Sequence, residues 1–188
     1  MKTHSLSFVS TLFLFILLSA QNFLFAQVKT GLDLLFSPAY QSLLKGQKIG
    51  LLTNHTAIDS HHQAALQLFK KEAVRCEFEL KALFAPEHGL DGSYYAAEKI
   101  KNSIDNDKIP VFSLHGATRR PTAQMLDGLT LIVYDIQDIG SRSYTYISTL
   151  FYVMEEAAKR GIAVIVLDRP NPLNGLTIDG PLLEKKWR

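Results

Sequence analysis

Four short segments gather acids, amides, histidine and arginine: Asn54-His55-Thr56, Pro86-Glu87-His88-Gly89, Asp135-Ile136-Gln137-Asp138-Ile139-Gly140-Ser141-Arg142 and Asp168-Arg169-Pro170-Asn171-Pro172. Glu87 is the first to consider. It follows a proline at the end of an apolar run and precedes the Gly89 turn, which would hold its carboxyl in one place. A carboxyl partly withdrawn from water has a raised pKa and keeps its proton near neutral pH, as protonating a leaving oxygen requires. Asp135 and Asp138 are candidates for a second carboxylate. Such a pair, one acid and one base or nucleophile, is the usual equipment of glycoside hydrolysis. Each aspartate also has a structural alternative: Asp138 as the cap of a helix after Gly140, Asp135 as the partner that orients Arg142.

Tyr144 and Tyr146 follow Arg142 closely, and a tyrosine offers a sugar both an apolar face and a polar tip. Core packing is the competing use for one of the two. The run Arg119-Arg120-Pro121-Thr122 adds positive charge that would meet a carboxylate-bearing ligand. His55, His88 and His115 raise metal-assisted hydrolysis with Glu87 or Asp135. Without an H-x-x-x-H pair or other tight ligand spacing, single histidines on separate loops read as hydrogen-bonding residues, so no metal is assigned. His61-His62 reads as solvated. No glycine-rich phosphate loop follows any apolar run, so no nucleotide or other cofactor is expected. A formal charge of only +2 argues against nucleic acid as a partner. Cys76 is the single cysteine, and its reading is a free, half-buried thiol.

Residues so far apart in sequence need a scaffold that brings them to one edge. Apolar runs at Lys48 to Thr53, Phe78 to Ala85, Pro110 to Leu114, Leu129 to Tyr134 and Ile162 to Leu167 read as strands. Between them lie helical patterns. One begins at Asp59, with Ala64, Ala65, Leu68 and Phe69 on one face and Asp59 or Ser60 as N-cap; another runs from Ile147 to Lys159 and ends at Gly161. Shorter helical candidates cover Ala123 to Leu126 and, interrupted by Pro38, parts of Gln27 to Gln47. Continuous Val/Ile/Leu strands alternating with amphipathic helices indicate an α/β class: a Rossmann-like, doubly wound, mainly parallel sheet. Ligands of such sheets bind beyond the carboxyl ends of the strands, which is where all four segments fall.

Residues 1–26 have the layout of a secretory signal peptide: Lys2, an apolar run from Leu6 to Ala20, and a small-residue exit from Asn22 to Ala26. The expectation is an exported, periplasmic or secreted protein whose mature domain spans 27–188. An uncleaved membrane anchor is the competing reading, because apolar character resumes at Phe23 to Phe25. The membrane is otherwise not a partner.

Six motifs in fixed order carry a family resemblance: Leu52-Thr53-Asn54-His55, Phe84-Ala85-Pro86-Glu87-His88-Gly89, Arg120-Pro121-Thr122, Asp135-Ile136-Gln137-Asp138-Ile139-Gly140, Tyr144-Thr145-Tyr146 and Asp168-Arg169-Pro170-Asn171-Pro172. From about Gly31 to Leu183 the chain resembles the exo-β-N-acetylmuramidase family, long catalogued as a domain of unknown function. The resemblance implies removal of N-acetylmuramic acid from the non-reducing ends of peptidoglycan fragments, in a cleft between a Rossmann-like N-terminal domain and a smaller C-terminal one. Peptidoglycan-derived sugars or muropeptides are then the partners. By motif, Glu87 matches the family's catalytic glutamate, and Asn54, His88, Asp135, Gln137, Arg142, Tyr144, Asp168, Arg169 and Asn171 match its cleft; Tyr146 is grouped with them as a sugar-binding candidate. His115 and Ser143 depart from the pattern, standing where it leads to aromatic residues. The family's smaller C-terminal domain is expected to be absent, which keeps a truncated, non-catalytic amino-sugar-binding domain as the alternative, with metal-dependent hydrolysis behind it.

Overall fold

The computed structural model describes residues 28–96 and 98–187, so the expected signal segment lies outside the described residues. Its centre is a six-stranded sheet of β1 (Lys48–Thr53), β2 (Glu79–Ala85), β3 (Ser103–Ile104), β4 (Pro110–Ser113), β5 (Leu131–Asp135) and β6 (Ala163–Val166), in the order β3-β4-β2-β1-β5-β6. Every pairing is parallel except β3 with β4. From β1 the chain steps one way to β2 and β4, then returns to the other side of β1 for β5 and β6. The reversal makes β1 and β5 neighbours at a topological switch point, with Thr53 paired to Asp135.

Side chains alternate across each strand, and both faces are apolar. Ile49 and Leu51 of β1, Leu83 and Ala85 of β2, and Leu131 and Val133 of β5 share one core with helices α1 (Gly31–Leu35) and α2 (Ala65–Glu72). Leu52, Ala82, Phe84, Ile132 and Tyr134 face the other way, onto Leu150, Val153 and Ala157 of α3 (Tyr146–Ala158). Coverage of both faces is what doubly wound means, so the expected fold class stands. Phe36, Phe69 and Phe78 lock α2 against the first face, with ring centroids 5.1 Å and 5.8 Å apart for the two pairs that include Phe69. Cys76 is a free thiol, but buried in this core rather than half-exposed, and burial pushes it up from the usual thiol value.

Several local expectations give way. The second helix begins at Ala65, not Asp59, and its N-cap Ala64 offers no side-chain bond. Asp59 instead accepts the amides of His61 and Gln63 at 2.9 Å and 2.7 Å, a local turn that competes with helix formation. Ala123 to Leu126 forms turns only. The stretch around Pro38 resolves into the short α1 and a 3₁₀ turn at Gln41–Leu43. β3 left no signal, because two exposed residues carry no readable alternation. Among the described residues no helix is long and apolar enough to cross a membrane.

α1 is too short to persist by its own hydrogen bonds, so its ends are tied down. Gly31 donates to the Asp168 carbonyl at 2.8 Å, and a Cβ there would stand 2.6 Å from the Leu167 Cα. Thr30 and Asp33 form a reciprocal capping box, and the other Asp33 oxygen accepts the Ser60 amide at 2.8 Å. Burial alone would raise the Asp33 carboxyl, but the amides and hydroxyls of Ser60 and Thr30 outweigh it and bring the pKa down from 3.8 to about 2. A depressed folded-state value contributes stability that is full above the unfolded value and lost as pH falls through the folded one. Asp33→Ala is therefore expected to lose about 2 kcal/mol in neutral urea melts. The gap to wild type should close between pH about 4 and about 2.

Candidate active site

The carboxyl end of β5 puts Asp135 at the switch point, where it is completely buried. A carboxylate in that position needs compensation, and Arg169 supplies it from the loop after β6. Nε donates to Oδ1 at 2.6 Å and Nη2 to Oδ2 at 2.9 Å, a bidentate pair. Burial pushes the Asp135 carboxyl up from its ordinary value, and the guanidinium pulls against that shift. The remaining Arg169 nitrogen, Nη1, donates to the Ile58 carbonyl at 2.9 Å, so one side chain ties together the loops after β1, β5 and β6.

Lesser bonds follow the same plan. Asn54 Oδ1 accepts the Thr56 hydroxyl at 2.6 Å, and Thr56 Oγ1 accepts the Gln137 amide at 3.2 Å. Gln137 Nε2 in turn donates to the carbonyls of Pro170 at 3.0 Å and Asp138 at 2.7 Å. Asp138 accepts the Gly140 amide at 2.8 Å. Gly140 has φ +76°, and a Cβ there would sit 2.4 Å from Asn171 Oδ1, so only glycine lets the two loops approach this closely. Asn54 is itself buried, with its side-chain amide set against the Tyr146 hydroxyl.

Glu87 is held from the other side of β1. Its Oε2 accepts the Thr145 hydroxyl at 2.6 Å, from the residue just before α3, and its Oε1 lies 3.3 Å from Nε2 of His115, two residues past β4. His88, at φ 71°, turns its Nδ1 to the Tyr94 carbonyl at 2.9 Å. Glu87, His115, Arg119, Thr145, Ser148 and Thr149 line a pocket of about 300 Å³ together with Tyr152.

The anticipated residues thus divide. Gln137, Asp138, Arg142, Asp168, Arg169 and Asn171 line a larger cavity of about 510 Å³ at the ends of β5 and β6, whereas Glu87 lines the smaller pocket. Asn54 lies beneath the loop network rather than on either lining. Tyr146 is core, packed at 5% exposure, and Tyr144 is the exposed member of the pair, their rings 5.8 Å apart and edge to face. The helix-cap alternative for Asp138 fails, since α3 starts at Tyr146 and Asp138 closes a turn on Gly140. The alternative for Asp135 holds in kind, with Arg169 in place of Arg142; Arg142 donates to the Pro181 carbonyl at 3.0 Å. Arg120 is engaged by Glu155 at 2.5 Å and lies over the Tyr152 ring, leaving Arg119 as the arginine of that run in the pocket. Among the described residues no group of three His, Cys, Asp or Glu side chains is placed to hold a metal ion. Thr145 and Thr56 were not anticipated, because a threonine beside an aromatic or at a turn carries no distinctive sequence signal.

Breaking a buried ion pair from one side strands the other charge. Arg169→Met is expected to destabilise the fold by about 3 kcal/mol in denaturant melts. The double variant Asp135→Asn/Arg169→Met, with no charge left to strand, should recover part of that loss.

Comparison with known proteins places this geometry. A sequence model described as exo-beta-N-acetylmuramidase NamZ, N-terminal, matches residues 49–188. The peptidoglycan beta-N-acetylmuramidase NamZ of Bacillus subtilis (strain 168) is 41% identical over 162 residues, covering 86% of this chain and 38% of that protein. Two crystal structures of DUF1343 family proteins from Bacteroides fragilis NCTC 9343 superpose on it. One has a TM-score of 0.73 at 41% identity, over 84% of this chain and 38% of its own. The other has a TM-score of 0.69 at 30% identity, over 87% and 40%. The chain thus spans less than half the length of the relatives it matches. On the match over residues 49–188 and the shared fold, the chain belongs to the exo-β-N-acetylmuramidase NamZ family and corresponds to its N-terminal domain.

Proposed function

We propose that the chain is an exported glycoside hydrolase of cell-wall turnover that releases N-acetylmuramic acid from the non-reducing ends of peptidoglycan fragments. Glu87 is the group that exchanges a proton with the glycosidic oxygen. The observation that carries the reading is the placement of Glu87: a carboxyl at a strand's carboxyl end, oriented by Thr145 and His115, opening on a pocket lined with hydroxyls and an arginine. A fixed carboxyl facing polar, hydrogen-bonding walls suits proton transfer to a sugar oxygen. The muramidase named among the relatives supports the substrate class.

The second carboxyl in this reading is Asp138, which lines the larger cavity, while Asp135 acts by holding Arg169. Gln137, Arg142, Tyr144, Asp168 and Asn171 supply hydrogen bonds and a stacking face to the sugar and its flanking groups. Export rests on the layout of residues 1–26 and agrees with a cell-wall substrate.

Release of sugar from a chromogenic N-acetylmuramic acid β-glycoside by the folded chain measures this reading directly. Glu87→Gln should lower kcat by about a thousandfold, as loss of a general acid does, with the fold intact by circular dichroism. Thr145→Val should lower it by roughly tenfold, the effect of one lost orienting bond. Turnover unchanged by Glu87→Gln refutes the assignment, and binding of the sugar by a wild-type chain that releases nothing supports a non-catalytic binding domain instead.

A further inference from the structure

The arginines in and beside the two cavities differ in what holds them. Arg169 is bound to Asp135 and to the Ile58 carbonyl, Arg142 to the Pro181 carbonyl, and Arg120 to Glu155 with Glu156 at 3.6 Å. Arg119 is the exception. Among the described residues no carboxylate stands within ion-pair distance of it, and its Nη1 lies against the His115 ring, in contact with both ring nitrogens. A guanidinium carries five N–H donors and an imidazole accepts at most one of them, so most of Arg119's donors are left to whatever enters the pocket. The walls suit a polar guest. Thr145, Ser148, Thr149 and Tyr152 recur at three- and four-residue spacing, so α3 and its cap turn a row of hydroxyls toward the space on which Glu87 opens. At about 300 Å³ that space is of the size of one substituted sugar ring.

We propose that Arg119 is the specificity-determining residue of this pocket: its guanidinium pairs with the lactyl carboxylate on O3 of the same N-acetylmuramic acid whose glycosidic oxygen faces Glu87. This rests on the reading of Glu87 as the reacting carboxyl and of the pocket as its sugar site. N-acetylmuramic acid differs from N-acetylglucosamine by the lactyl ether alone, so a site that tells them apart must read that group. The planar fork of an arginine matches the two oxygens of a carboxylate. The other arginines are unsuited to the task. Drawing Arg169 away would strand the buried Asp135 charge, and Arg120 is already balanced by its glutamates. Arg119 also offsets the repulsion between an anionic sugar and the Glu87 carboxylate, which lets both occupy one small pocket.

Binding of single sugars to the full folded chain, measured by isothermal titration calorimetry at neutral pH, tests this without any bond being broken. The probes are N-acetylmuramic acid and its primary amide, which has the same shape and no charge. Wild type should bind the acid about tenfold more tightly than the amide, the worth of one charge-assisted bond in a partly solvated site. Arg119 is exposed, so its replacement leaves the core untouched. Arg119→Met should bring the acid down to the affinity of the amide and leave the amide unchanged. Should that variant fail to fold, Arg119→Gln, with donors but no charge, gives the same reading. Arg120→Met removes the neighbouring charge that Glu155 holds and should keep the preference in full. The proposal is overturned by a wild type that binds acid and amide alike or binds neither, by a preference that survives loss of the Arg119 charge, or by one that Arg120→Met also abolishes. A wild type that selects the acid but releases no sugar sinks the hydrolase reading and leaves Arg119 as the anion-reading residue, whereas sugar release without a preference for the acid does the reverse.

Discussion

A carboxylate buried at the end of a central strand is the constraint on which the site is built. Asp135 is completely inside, at the point where the sheet reverses its winding, and only a permanently charged, two-pronged donor makes that tolerable. Arg169 comes from the loop after β6, and reaching Asp135 carries that loop back over the switch point. Once there, its third nitrogen takes the Ile58 carbonyl. The Gln137 bonds to Pro170 and to Thr56 then have partners within reach. The pair is worth little as net stability, because desolvation offsets much of the attraction, but its geometry decides where three loops go.

The second anchor is independent of the first. Glu87 lies across β1 from this pair, and its orientation depends on the start of α3 and the end of β4. α3 is held by the apolar face it shares with Phe84, Ile132 and Tyr134, so the Thr145 hydroxyl is positioned by core packing rather than by a cap of its own. Hydrophobic burial on one face of the sheet is in this way converted into the placement of one oxygen at the edge. Edge loops on a rigid parallel sheet commonly carry function for this reason.

Much of the fold was readable before any coordinates. The parallel strands announced themselves as unbroken apolar runs, because a strand buried on both faces has no polar alternation to show. α3 was legible to within one residue at each end, since its apolar spacing and Gly161 mark it unambiguously. The start of α2 was misread, because Asp59 has the same local appearance as an N-cap and as a turn acceptor, and only the path of the chain distinguishes them. The four loops of the candidate site were found by their position after strands, which is a topological consequence of the parallel sheet.

What the sequence determined by itself is therefore the periodic part: apolar runs, helical spacing, the residue types at each strand end, and the six-motif order that marks the family. The tertiary structure decided the pairings. Asp135 could have met Arg142, seven residues away, but takes Arg169, thirty-four residues on, because β6 lies beside β5 and delivers its loop to the same edge. Glu87 meets Thr145 and His115, neither near it in sequence, because β4 and α3 flank the end of β2. Tyr146 goes to the core and Tyr144 to the surface, a choice fixed by the helix phase that begins between them. Local sequence dictates periodicity because backbone geometry repeats over a few residues. Partners across strands depend on strand order, which no single stretch of sequence contains.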